Sequence, residues 1–340
     1  MVLVPAQSAH AQRAFDLVTR LQQRFATQLT AWSRQPFVPV TWLRDEGRHG
    51  GGTRLESPRD AFYNAGSVNV SQVHYDDDAS RALASANALS TIIHPRNPLA
   101  PSVHIHISFT EMRDGSWYWR MMADLNPAVP SAADTAAFTA ALQAAAGATY
   151  AHGAAQGDAY FRIPALGRTR GVTHFYLEAY RGADFDTDAA LAERVGAAAI
   201  DAYTTLLPGA AARIASANDE LTQLDYHTLY FFQVLLLDRG TSSGLIVHNQ
   251  NDIGILGSLP NFIRPSLLVQ WEAALPPLQA ALLRALCAVL PMEQAVVEVT
   301  PARKQALAQA LREFCVAHPA VLDLQARADV VPPTVANHQR

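Results

Sequence analysis

The sequence predicts an α/β chain whose strands form one sheet with helices packed on it. Three observations carry this reading. Almost half of the 340 residues are apolar, enough for a sizeable core. Residues 103–109, 116–122, 172–178 and 229–237 have strand patterns, with 68–73 a weaker fifth. Alanine-rich helical stretches separate these strands without a Gly/Ser linker, so one sheet is more economical than the two domains that the length would allow.

The elements follow in chain order. Residues 8–33 form an amphipathic helix, with Phe15, Val18, Leu21, Phe25, Leu29 and Trp32 at three- and four-residue steps. RDEGRHGGGTRLESPRD, rich in glycine and charge, reads as a mobile or tightly turning loop. It lacks the Lys-Ser/Thr of a phosphate loop. Residues 103–109 alternate strictly, with His104, His106 and Ser108 on one face. SWYWRMM is aromatic and β-prone, and VTHFYLE places His174, Tyr176 and Glu178 together. LYFFQVLLL is nearly continuous apolar, as in a central strand. Residues 132–146 and 188–206 read as helices. Beyond Trp271 the chain is helical in pattern, broken by prolines, and VVPPTVANHQR reads as a frayed tail.

Net charge is −4 with a pI near 6.3, which sets nucleic-acid binding aside. The start of the chain has no signal-peptide pattern and no apolar run approaches a membrane span. A cytoplasmic protein is expected. Cys287 and Cys315 lie in helix-like apolar surroundings and read as buried free thiols.

Three constellations could carry chemistry. His94, His104 and His106, with His74 upstream, could offer imidazoles to a metal, line a pocket, or form the wet face of a sheet. No carboxylate or cysteine sits beside them in the sequence. Asp238 and Arg239 follow a buried segment and stand where loops deliver polar groups to a site, although a solvated turn explains them equally. His174 and Glu178 could form an acid–base pair. HPRNP reads as a rigid turn, and Asp76–Asp78 as a solvated loop without calcium spacing.

In combination, IIHPRNPLAPSVHIHISF resembles the Val-Val-His-Pro-x-Asn-Pro-x-x-Pro-x-x-His signature of the oxygen-dependent coproporphyrinogen III oxidases. VNVSQVHYD, GGGTR, WYWRMMADLNP, LLLDRGTSSGL and LPNFIRPSLLVQW resemble further family segments, in the same order, from about residue 42 to 271. The resemblance implies an α+β fold with a large antiparallel sheet flanked by helices on both faces, in a homodimer. It implies oxidative decarboxylation of propionates by molecular oxygen without an organic cofactor. Residues 1–272 would form the family-like domain and 273–340 a helical extension packed on it.

Carried over residue by residue, Ser90, His94, Asn97, Asp124, Asp238, Arg239 and Thr241 match family positions, and His104 matches the proposed proton donor. The departures concern the substrate. The family's Asn-x-Arg is His106-x-Ser108 here, and its Gly-Gly-Arg aligns with His248-Asn249-Gln250. Three glycines are Arg120, Met121 and Met122, and the metal-associated histidines are mostly absent, leaving metal use open. Each lost arginine removes a charge-assisted hydrogen bond worth roughly 1.5–3 kcal/mol. The expectation is a divergent oxidase for a smaller or less anionic pyrrole- or indole-like molecule. His104, Asp238 and Arg239 would be catalytic. Ser90, His94, Asn97, His106, Ser108, Asp124, Thr241, His248 and Gln250 would bind substrate, with Arg120 a replacement cation. The alternatives are an ordinary haem-pathway oxidase and a non-catalytic tetrapyrrole or small-molecule binder.

Overall fold

The computed structural model describes residues 3–58, 62–327, 330 and 333–338. Helix α1 (Ala9–Ser33) begins where the Ser8 hydroxyl accepts from the Ala11 N–H, and it buries Leu17, Val18, Leu21, Phe25 and Leu29. Six strands follow: β1 (Val38–Leu43), β2 (Gly50–Glu56), β3 (Tyr63–His74), β4 (Leu83–Pro95), β5 (Ser102–Met112) and β6 (Trp117–Asn126). After α2 (Ala132–Ala146), α3 (Tyr150–Tyr160) and a small hairpin of β7 (Arg162–Ile163) and β8 (Arg168–Thr169), β9 (Thr173–Tyr180) closes the main sheet. That sheet has seven strands in the order β1-β2-β3-β4-β5-β6-β9, and every neighbouring pair is antiparallel. The α+β architecture implied by the resemblance is therefore the one observed.

The remaining elements are α4 (Phe185–Ala211), α5 (Ala217–Leu236), α6 (Arg239–Val247), α7 (Asp252–Ile255), β10 (Phe262–Ile263), α8 (Pro265–Glu272), α9 (Pro277–Cys287), β11 (Val297–Glu298), α10 (Pro301–Ala317) and α11 (Thr334–His338). One core lies where α1, α2 and α4 cover one sheet face, joining Leu21 and Val195 to Val103, Ile105, Ile107 and Phe109 of β5. A second core lies beyond the other face, where Phe231 and Leu235 of α5 meet Leu282 and Leu286 of α9 and Leu307 of α10. Among the described residues, no helix is long and apolar enough to cross a membrane.

Three expectations about local structure change. LYFFQVLLL is the second half of helix α5, not a central strand. A continuous apolar run does not distinguish a buried strand from a buried helix. Here a Ser216–Asp219 capping box starts the helix, and every residue from Tyr226 to Leu236 is buried because neighbours cover the helix all round. The triple glycine is part of β2 rather than a mobile loop. A Cβ at Gly52 would lie 2.2 Å from the Val70 carbonyl oxygen, so glycine permits the close approach to β3. Within the expected tail, Thr334–His338 is helical and docked on the fold. Strands β1 and β4 lie outside the expected set, and the weaker candidate at 68–73 lies within β3.

Candidate active site

The period of two along β5 sends Val103, Ile105, Ile107 and Phe109 into the first core. It sends His104, His106, Ser108 and Thr110 into a cavity of about 240 Å³ on the opposite face. Antiparallel register extends these positions into rows across the sheet. Ile92, His104, Asp124 and His174 form one row, Asn69, Ser90, His106, Met122 and Tyr176 the next, and Ser71, Ala88, Ser108 and Arg120 the third. Helices α5 and α6 roof the cavity with Tyr230, Val234, Asp238, Thr241 and His248.

His104 is the cavity imidazole that a buried carboxylate supports. Its Nδ1 lies 2.8 Å from Oδ1 of Asp124, a fully buried carboxylate that can only accept, so Nδ1 carries the proton and Nε2 is left for the cavity. Asp124 Oδ2 accepts from Arg170 Nη2 at 2.8 Å and from Asn126 Nδ2 at 2.5 Å. Burial pushes the Asp124 carboxyl up, but the Arg170 guanidinium and His104 outweigh it and hold the group well below the usual carboxylate range. Arg170 is itself fixed by Gln233 Oε1 at 2.7 Å and by stacking over the Phe161 and Tyr230 rings. Asp124, expected to bind substrate, instead stands behind His104 and sets its tautomer and orientation.

The other predicted residues divide. Ser90, His106, Ser108, Asp238, Thr241 and His248 line the cavity. Asp238 caps α6 and accepts from the Thr241 N–H at 2.7 Å and the Tyr160 hydroxyl at 3.3 Å. Four residues stand apart from the cavity. His94 is fully buried, bonded to Ser102 Oγ and to the Ser258 carbonyl. The amide of Asn97 ties the β4–β5 turn to the carbonyls of Ala211 and Arg213. Arg239 donates to the Leu322 carbonyl at 2.6 Å, because its position on α6 faces the C-terminal helices. Gln250 binds Asp45 at the surface. The His174–Glu178 pair is split: His174 bonds Asp158 and the Arg170 carbonyl, while Glu178 bonds Arg120 and Tyr176.

The arginines among the described cavity residues are paired internally. Arg120 reaches it, but its guanidinium binds Glu178 through two contacts, one of 3.0 Å. The bulge in β9, where Ala179 has φ of 50°, sets those two side chains together. Arg170 is matched by Asp124. Burial first, and Arg120 and His104 second, hold His106 well below the usual imidazole range, so it lines the cavity as a neutral group. Burial, His338 and Arg44 do the same to His248. Among the described residues, no three of His, Cys, Asp and Glu converge as a metal set would.

The family model for coproporphyrinogen III oxidase matches residues 13–286. The chain belongs to the coproporphyrinogen III oxidase family. That match includes the whole sheet, His104, Asp124, Arg170 and Asp238, and ends within α9, so α10 and α11 lie outside it. Sequence reasoning overlooked Arg170, Tyr160 and Tyr230. Arg170 sits in a short polar stretch before β9, and Tyr230 in the run misread as a strand, so neither carried a local signal. It also overlooked Thr334, Asn337 and His338 of α11, which line the cavity.

Proposed function

We propose that this member of the coproporphyrinogen III oxidase family is an oxygen-dependent oxidase for an electron-rich N–H heterocycle, pyrrole- or indole-like, with few carboxylates. The observation that carries the reading is the pairing of both arginines that line the cavity among the described residues, Arg120 with Glu178 and Arg170 with Asp124. Coproporphyrinogen III carries four propionates, and buried carboxylates need cationic partners. Asp238 adds a further negative group to the cavity, suited to accept a ring N–H. His104 exchanges a proton through Nε2 while Asp124 holds its other nitrogen.

In this reading the ring itself supplies two electrons. The substrate loses two electrons and two protons, and dioxygen becomes hydrogen peroxide. Where the oxidised side chain is a propionate, carbon dioxide and a hydride equivalent leave instead, one proton is taken up, and a vinyl group remains. No organic cofactor is required. The working assembly is the homodimer implied by the family resemblance.

Oxygen uptake and peroxide release, measured with coproporphyrinogen III and with pyrroles and indoles bearing no or one carboxylate, test the proposal. Turnover is expected with a member of the small panel and depends on His104. Efficient conversion of coproporphyrinogen III to protoporphyrinogen IX overturns the substrate reading. Binding without oxygen uptake for every compound overturns the enzymatic one.

A further inference from the structure

Helix α11 stands at the end of the cavity away from His104. It touches the strand rows of Ser108 and Thr110, which lie four to six residues along β5, about 14–20 Å at 3.4 Å per residue. Asn337 Nδ2 donates to the Tyr118 hydroxyl at 2.7 Å, and Thr334 Oγ1 lies 3.5 Å from Arg120 Nη2. His338 Nδ1 meets the Tyr75 hydroxyl at 3.1 Å, and its ring packs edge-on against His248.

Two arginines lie behind this helix. Arg81 donates to the His338 carbonyl oxygen, and its guanidinium sits over the Tyr75 ring. Arg44 bonds the Tyr75 hydroxyl and His248, and also lies over that ring. Neither is a lining residue of the cavity while α11 is in place. Their carboxylate neighbours, Asp78 and Asp45, stand at the Nε atoms, 3.2 and 3.9 Å away, whereas the Nη atoms meet His338, Tyr75 and His248.

We propose that α11 is a specificity-determining end wall: Thr334, Asn337 and His338 shorten the cavity and cover Arg44 and Arg81, excluding polycarboxylate macrocycles. The inference rests on the reading of a small, weakly anionic substrate. The helix meets Arg81 with a backbone carbonyl, an uncharged oxygen standing where a carboxylate would compete. It lies beyond residue 286, where the family match ends.

The test is direct titration with coproporphyrin III, a fluorescent tetracarboxylate, rather than turnover. The full chain is compared with one ending at Arg327 and with the Asn337→Ala/His338→Ala double variant. Thermal melts verify folding of each. The truncated chain is expected to bind at least about tenfold more tightly, the double variant to shift in the same direction, and Arg44→Gln or Arg81→Gln in the truncated chain to reverse the gain. Equal affinity of full and truncated chains, whether tight or absent, overturns the end wall. A gain insensitive to both arginine changes overturns the anion argument. Should truncation unfold the protein, the double variant decides alone. Oxygen uptake with the small panel is a separate measurement, so the end wall can fail while the proposed activity stands, and the reverse.

Discussion

Replacing Asp124 by Asn removes a carboxylate that accepts from His104, Asn126 and Arg170 inside a fully buried site. The amide keeps the shape but leaves the Arg170 guanidinium, itself 1 % exposed, without its counter-charge. Removing one partner of a buried pair costs about 3–5 kcal/mol. For a chain of this size that is a Tm fall of about 4–7 °C. The stability contribution of Asp124 has a defined pH window. Its folded pKa lies below the unfolded value of about 3.9, so the contribution is complete above that value and is lost as pH falls through the folded one. The deficit of Asp124→Asn should therefore be constant from pH 5 to 8 and shrink only below about pH 4. The amide can also donate to His104 Nδ1, reversing the tautomer that aims a lone pair at the cavity, which predicts a kcat loss of about 10²–10⁴-fold. Urea and thermal unfolding across pH, with oxygen-uptake kinetics, measure both effects. A stability loss under about 1 kcal/mol together with unchanged kcat would refute the coupling of His104, Asp124 and Arg170.

His104→Ala should lower kcat by about 10²–10⁴-fold while the far-ultraviolet spectrum and Tm stay close to the parent's. Arg239→Ala should leave KM within about twofold, because the side chain holds the Leu322 carbonyl rather than the cavity; a large KM rise would contradict the placement. Buried neutral His94, His227 and His338 should make the fold acid-sensitive. Burial holds His227 and His338 down to about 3 and His94 well below its usual range. Each loses no stability above the unfolded value and costs about 1.4 kcal/mol by pH 5.5, so Tm should fall between pH 7 and 5, and less steeply in His227→Gln. Gly52→Ala should disturb the β2–β3 pairing, since its Cβ would strike the Val70 carbonyl; a soluble variant with the parent's Tm would show that β2 can shift.

Local pattern alone determined helix α1, the alternating strands β5 and β9, and the motifs from 42 to 271 that placed the chain in its family. These signals are legible because burial on one face imposes a period on neighbouring residues. The partition of LYFFQVLLL was not legible, since a helix covered on all sides loses its period. Nor was the pairing of Arg120 with Glu178, of Arg170 with Asp124, or of His338 with Tyr75, whose partners lie 58, 46 and 263 positions apart. Composition supplies the charges, but through-space neighbours decide whether a charge is available to a ligand. The sequence brought His104 and His106 to one strand face. The tertiary structure made one a carboxylate-supported imidazole and the other a neutral wall, because Asp124 stands beside the first while burial, and then Arg120, disfavours charge on the second.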